Sequence, residues 1–252
     1  MDASPPSGPR SSSDAQVHPA PWVWMYHSVT RGTEDPFNIT VSPERFAAQM
    51  RLLSRTGRRG VSLRELLGTP PGRARDRLVG LTFDDGYVDF VDEVLPELER
   101  HDFTATVYVV AGRLAGHNDW ETHGPRKPLM SEEQVREADR RGAEIGSHTL
   151  THAHLPELGA AALADEVARS RHELEDVLGR EVRGFCYPYG DVGPREVAAA
   201  AEAGYAHATV VGHAANPGPL ALPRTFVGQR DGSLRLAAKR ARFAARRPGV
   251  PW

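Results

Sequence analysis

The chain has 252 residues, enough for one large domain with a substantial core. Its 40% hydrophobic and 25% charged residues are those of a globular protein, and a net charge of −2 gives the molecule as a whole no electrostatic hold on nucleic acid or an anionic membrane. A single cysteine, Cys186, excludes an internal disulfide, and no apolar run approaches the roughly 18 residues of a membrane span.

Residues 1–20 are rich in Ser, Pro and Gly and predict a disordered tail. They carry neither a basic n-region nor an apolar h-region, so the expectation is a cytoplasmic protein unless an export sequence precedes this start. One domain is expected over residues 21–232, followed by a basic helix and tail over 233–252. Val23 to Val29 reads as the first strand. Pro43 to Leu53 reads as a helix, with Ser42 as N-cap, Pro43 in its first position and Phe46, Met50 and Leu53 on one face. Val79 to Phe83 is a buried strand, Val91 to Glu99 a helical pattern containing Pro96, and Thr104 to Val110 a strand. Ser131 to Arg140 is a capped helix with an acidic first turn, and Glu144 to Ser147 a short strand. Ala160 to Leu178 is a long amphipathic helix closed by Gly179. Val182 to Cys186 is a strand, Pro194 to Ala203 a helix closed by Gly204, and Tyr205 to Val211 and Ala221 to Val227 the last strands; Leu234 to Arg247 is a basic, Ala-rich helix. Strands alternating with helices imply parallel pairing, and about seven strands suit an incomplete (β/α) barrel, whose catalytic groups lie past the C-terminal strand ends.

Three segments follow strand ends: Thr82-Phe83-Asp84-Asp85-Gly86-Tyr87, Ser147-His148-Thr149-Leu150-Thr151-His152 and Phe185-Cys186-Tyr187-Pro188-Tyr189-Gly190. In an extended strand end Asp84 and Asp85 would point opposite ways, one to a metal and the other to a reacting water; the plain alternative is an Asp-Gly turn. His148 and His152, four apart, would share one face of a helical turn, a divalent-metal geometry; alternatively they are surface or capping histidines. The Tyr187 to Gly190 turn, with its Pro188 and Gly190, could hold a backbone N–H toward a developing oxyanion or simply end a strand. Cys186 reads as buried and inert. Tyr87, Trp120, Tyr187 and Pro188 are candidates to line a substrate pocket, each equally accounted for by packing. The terminal segment Arg235 to Arg247 reads as a solvated basic face, or as a surface for an anionic or phosphate-bearing ligand.

From Met25 to Val227 the chain resembles the polysaccharide deacetylase family (carbohydrate esterase family 4, the NodB-homology domain). The resemblance rests chiefly on the Leu81 to Tyr87 and Glu144 to His152 segments, with Phe103 to Val110 and Leu178-Gly179 in support. It implies a distorted (β/α)7 barrel in a single α/β domain. It implies one divalent metal, zinc first, with cobalt, nickel or manganese as alternatives, held by Asp85, His148 and His152. It makes Asp84 the catalytic base and Tyr189 the backbone donor to the oxyanion. The implied reaction removes an N-acetyl group from an amino sugar, as part of a glycan or of a small metabolite. Two positions depart from the commonest pattern: Cys186 stands where an Arg usually holds the catalytic Asp, and no late Leu-X-His segment supplies a general acid. A branch opening on Tyr-His, matched by Tyr26-His27, makes His27 the candidate acid, and Arg224 the charge that would hold Asp84. Hydrolysis of another C–N bond, as in allantoinase-like members, and a catalytically silent carbohydrate-binding barrel are the competing readings.

Overall fold

The computed structural model describes residues 17–32, 34–212, 217–246 and 248–251. The apolar, β-branched runs form eight parallel strands: β1 (Val23–Tyr26), β2 (Arg59–Val61), β3 (Leu78–Phe83), β4 (Thr106–Val109), β5 (Glu144–Ser147), β6 (Gly184–Cys186), β7 (His207–Val211) and β8 (Leu222–Phe226). All but β2 close into a ring. It runs β1-β3-β4-β5-β6-β7-β8 and returns to β1 where Phe226 lies opposite Met25. β2 pairs with the start of β3, Arg59 opposite Leu78. The ring is the distorted seven-stranded barrel that the sequence implied. Its strands are buried along nearly their whole length, which explains their continuous rather than alternating apolar pattern.

The helices are α1 (Pro43–Arg55), α2 (Leu63–Gly68), α3 (Leu95–Glu99), α4 (Glu132–Arg140), α5 (Ala160–Leu178), α6 (Pro194–Glu202) and α7 (Ser233–Arg246). Their ends follow local chemistry. The Ser42 hydroxyl accepts the Arg45 N–H, Ser131 and Gln134 form a capping box, and α5 stops at Gly179 with φ 66°. No described helix is long and apolar enough to cross a membrane.

Several expectations need correction. The first strand breaks at His27; Ser28–Val29 leave the barrel and pair with Thr40–Val41. β2 and α2 were not anticipated, being too short to show a period. The Val91 to Glu99 helix is a π-turn over Phe90–Val94 running into α3, which places Pro96 in the first turn of α3 where a missing N–H is harmless. Of the expected disordered tail, residues 1–16 lie outside the described residues, whereas Val17–Pro19 pairs antiparallel with Gly249–Pro251.

The lower interior of the ring is polar. His207 on β7 reaches Glu144 on β5, Nε2 to Oε1 3.0 Å, across the intervening β6. It can do so because Gly184 on β6 has no side chain; a Cβ there would lie 2.6 Å from the imidazole. The other Glu144 oxygen accepts the Thr106 hydroxyl and the Arg64 N–H, both at 2.7 Å. Burial pushes the Glu144 carboxyl up, but His207 and these hydrogen bonds outweigh it and hold the group below its usual range. The resulting stabilisation is present above the ordinary glutamate range and is lost as pH falls through the lowered value. His207→Ala, which leaves a buried carboxylate without its imidazole partner, is expected to destabilise the fold by about 3 kcal/mol in chemical denaturation, with partial recovery when Glu144→Gln is added. A loss under about 1 kcal/mol would contradict this account of the interior.

Candidate active site

The candidate residues gather past the C-terminal ends of the strands. β3 delivers Asp84, whose N–H donates to the Tyr26 carbonyl at 3.0 Å and fixes it against the end of β1. The chain then turns through two consecutive left-handed residues, Asp85 (φ 74°) and Gly86 (φ 73°). Asp tolerates that conformation better than most side chains, and at Gly86 a Cβ would press on the Val109 backbone at 3.2 Å. The two carboxylates therefore diverge through a tight turn, and not through the alternation of an extended strand. Asp84 and Asp85 are both buried.

Asp84 faces Arg224 of β8. The fully buried guanidinium donates to both Asp84 oxygens, at 2.6 and 2.7 Å, and also to Val210 O, the Thr82 hydroxyl and the Cys186 sulfur, the last at 3.1 Å. Burial pushes the Asp84 carboxyl up, but the charge and hydrogen bonds of Arg224 outweigh burial and hold it below its usual range. His27 approaches the oxygen that Arg224 Nη2 also holds, its Nε2 3.9 Å from Asp84 Oδ2 and its Nδ1 buried without a hydrogen bond. Cys186 is buried as expected, yet it has a place in this network, its Sγ 3.6 Å from Asp84 Oδ2.

Asp85 faces the histidines. Its Oδ1 lies 3.4 Å from Nε2 of both His148 and His152. The other ring nitrogens are already engaged: His148 Nδ1 is 2.8 Å from the Cys186 carbonyl, and His152 Nδ1 is 3.1 Å from the Tyr189 hydroxyl. Orientation of each imidazole by a partner on its far nitrogen is how metal-binding histidines are held. One carboxylate and two imidazoles with converging free atoms fit a divalent metal and leave positions for water and substrate. Burial pushes Asp85 up, but hydrogen bonds from His148 and His152 overcome it and hold the carboxyl well below its usual range; burial leaves His152 lowered, whereas at His148 the Cys186 and Asp85 interactions outweigh burial and raise it. Asp84, His148 and Cys186 also cluster, but Arg224 places a fixed positive charge on two of the three, so that set does not fit a second cation.

The histidines do not sit on a helical turn. Residues 148–152 form a loop with Thr149 (φ 68°) and His152 (φ 66°) left-handed. Its fold is enforced from outside. The His148 N–H donates to Val109 O, and the Glu166 carboxylate on α5 receives the N–H groups of Leu150 and Thr151 and the Thr151 hydroxyl at 2.6 to 2.9 Å. Glu166 was missed by sequence reading. Its signal is an acidic residue on the buried face of α5, between Leu163 and Ser170.

At the third turn Tyr189 is left-handed (φ 60°) and 43% exposed, its ring stacked on that of His154 at 3.7 Å. Trp120 lies half-buried with its ring stacked on His152 at 4.4 Å, and its indole N–H has no partner. These two aromatics border the cluster at its mouth. Tyr187 and Pro188 do not. Both are buried; Tyr187 packs on Phe185 and donates its hydroxyl to Leu220 O. Tyr87 is 2% exposed; burial first, and the Asp85 carboxylate second, push its phenol up. Tyr187 and Pro188 are packed within the fold, whereas the Tyr87 hydroxyl is buried beside Asp85 without a hydrogen-bond partner. Lys127, also missed, reaches from the same loop as Trp120 to the Ser28 and Thr40 hydroxyls at 2.9 and 2.7 Å and ties that loop to the barrel.

The sequence model of the polysaccharide deacetylase family matches residues 72–208. The chain belongs to the polysaccharide deacetylase family. Among curated relatives of this deacetylase-family chain, YxkH of Bacillus subtilis (strain 168), named for the same family, is 28% identical over 73% of this chain and 61% of its own length. A chitin deacetylase of Colletotrichum lindemuthianum is 31% identical over 48% of this chain and 41% of its own. The chain thus spans less than two thirds of the length of these relatives. Two solved structures share the fold. The Streptococcus pyogenes deacetylase PplD in complex with acetate has a TM-score of 0.74 and 23% identity, covering 88% of this chain and 99% of that one. A de-N-acetylase from Aggregatibacter actinomycetemcomitans has a TM-score of 0.74 and 20% identity, covering 86% and 98%.

Proposed function

We propose that this family member is a metal-dependent N-deacetylase that removes an acetyl group from an amino sugar. The observation that carries the reading is the convergence of Asp85, His148 and His152 beside a separate carboxylate, Asp84, that Arg224 keeps ionised. A divalent metal held by Asp85, His148 and His152, zinc being the first choice for that donor set, would supply Lewis-acid polarisation of water and of the amide carbonyl. Asp84 takes the proton of the attacking water, and Arg224 fixes both of its oxygens for that role. His27 gives a proton to the leaving amine; the position of its Nε2, 3.9 Å from Asp84 Oδ2, supports this. The Tyr189 backbone N–H supports the developing oxyanion, and the Trp120 and Tyr189 rings offer flat apolar surface to a sugar.

Relatives named for chitin and for poly-β-1,6-N-acetyl-D-glucosamine favour an N-acetylglucosamine-type substrate. A silent carbohydrate-binding barrel is disfavoured, because Arg224 and His27 both reach Asp84. An allantoinase-like activity would appear as ring opening of allantoin without acetate release.

The acid role has its own test. His27→Gln is expected to slow acetate release from N-acetylated chito-oligomers by about 100-fold. Hydrolysis of 4-nitrophenyl acetate, whose leaving group needs no proton, should stay near wild type. An equal loss on both substrates would remove His27 as the acid.

A further inference from the structure

Beside the catalytic rim lies a second concavity, a groove of about 760 Å³ between the segment Thr30 to Ser42 and helix α7. Phe226 lies against it at the end of β8, where it pairs with Met25, two residues before His27. Its other wall is one face of α7: Arg235, Ala238, Lys239 and Arg242 recur at helical spacing. With Arg230 the groove holds four cations and two carboxylates, Asp35 and Asp231. Both carboxylates are engaged within the fold. Asp35 accepts the N–H groups of Ile39 and Thr40, one on each oxygen, and Asp231 accepts the Gly228 N–H and the Lys239 ammonium. Among the described residues, neither Arg230, Arg235 nor Arg242 makes an ion pair, although ion pairs elsewhere on the surface are numerous. Three unneutralised guanidinium groups around one concavity are a concentration of fork-shaped donors that suits a tetrahedral oxyanion.

We infer that this groove is a phosphoryl-binding site. The net excess of two positive charges matches the −1.5 to −2, roughly, of a phosphate monoester near neutral pH. A flat membrane surface fits less well, because of the three large apolar side chains of α7 only Leu234 is exposed, too little for an apolar face that could enter a bilayer. Leu236 is buried in the core, and Phe243 is half-buried and stacked on Trp22. The groove also adjoins the reaction site through Thr40, which lines it and accepts the Lys127 ammonium that reaches across from the Trp120 loop. A phosphate-bearing sugar could therefore be held by its phosphoryl group next to the rim; free phosphate offers the same chemistry. The site stands whether or not the deacetylase reading does, because it is read by binding.

The test is calorimetric titration of the metal-loaded protein with inorganic phosphate, N-acetylglucosamine 1-phosphate and neutral N-acetylglucosamine. Both phosphates are expected to bind with an affinity that falls as salt rises, and the double variant Arg235→Glu, Arg242→Glu to weaken both by about tenfold or more. Binding of the neutral sugar should not change. Binding of inorganic phosphate should survive removal of the metal with a chelator, which separates the groove from the metal cluster. Tighter binding of the sugar phosphate than of phosphate would identify a substrate as the source of the group; equal binding would identify the phosphoryl group alone. The inference is overturned if the double variant binds both phosphates like the wild type, or if inorganic phosphate binding disappears once the metal is removed from the wild-type protein. It is also overturned if phosphatidylglycerol vesicles bind through these arginines without competition from phosphate.

Discussion

Asp84→Asn is expected to lower kcat for acetate release by about 100-fold or more while metal content stays near that of the wild type. The side chain keeps its size, and none of the three proposed metal ligands is touched. What changes is basicity and charge. An amide cannot take a proton from water at any pH of interest, and its NH2 group would meet one of the two guanidinium N–H donors that now point at carboxylate oxygens 2.6 and 2.7 Å away. The fully buried Arg224 would then lack a counter-charge, so a loss of about 3 kcal/mol or more of stability should accompany the kinetic effect. The kinetic and stability effects are separable. Circular dichroism and denaturation report the second, and kcat on folded protein reports the first. Near-normal turnover in the folded variant would remove Asp84 as the base.

His148→Ala is expected to empty the cluster of metal and, with it, to abolish acetate release. Loss of partners that merely orient a metal ligand weakens metal binding by about 10- to 100-fold, so deletion of one of three ligands should exceed about 100-fold. The readout is metal content after dialysis against a metal-buffered solution. Full occupancy would take His148 out of the ligand set and throw weight onto Asp85 and His152. Alanine also leaves Asp85 Oδ1 without one of its two close partners and the Cys186 carbonyl without its contact to Nδ1, so some loss of stability accompanies the loss of metal.

Much of this was legible in the sequence because it depends on short-range chemistry. Ser42 before Pro43, Ser131 before Gln134 and Gly179 after Leu178 mark helix ends through their own hydrogen bonds or φ. The strands are legible as continuous apolar runs because the barrel buries both their faces. The segments around Asp84, His148 and Tyr189 could be read as one site because a parallel barrel brings successive strand ends to one rim. What was not legible depends on distant partners. The left-handed residues Thr149 and His152 flank a stretch held from α5, by Glu166 on Leu150 and Thr151, sixteen and fifteen residues away. Tyr187 and Trp120 look alike as aromatic residues near the site, and only packing decides that one fills the core while the other stacks on His152. The departure at Cys186 becomes intelligible only in three dimensions. The cation absent from β6 is supplied by Arg224 of β8, and the small thiol leaves room for its guanidinium against Asp84.

The central claim is that one metal held by Asp85, His148 and His152 powers hydrolysis of an N-acetyl group. The most direct measurement is metal content and acetate release on a single purified sample, using N-acetylglucosamine, short chito-oligomers and N-acetylglucosaminides, with and without a chelator. The account predicts close to one divalent metal per chain, acetate release from at least one of these substrates, loss of that activity with the chelator and its return on adding zinc. Acetate release that persists after the metal has been stripped, or a fully loaded protein that releases none from any of them, would contradict it.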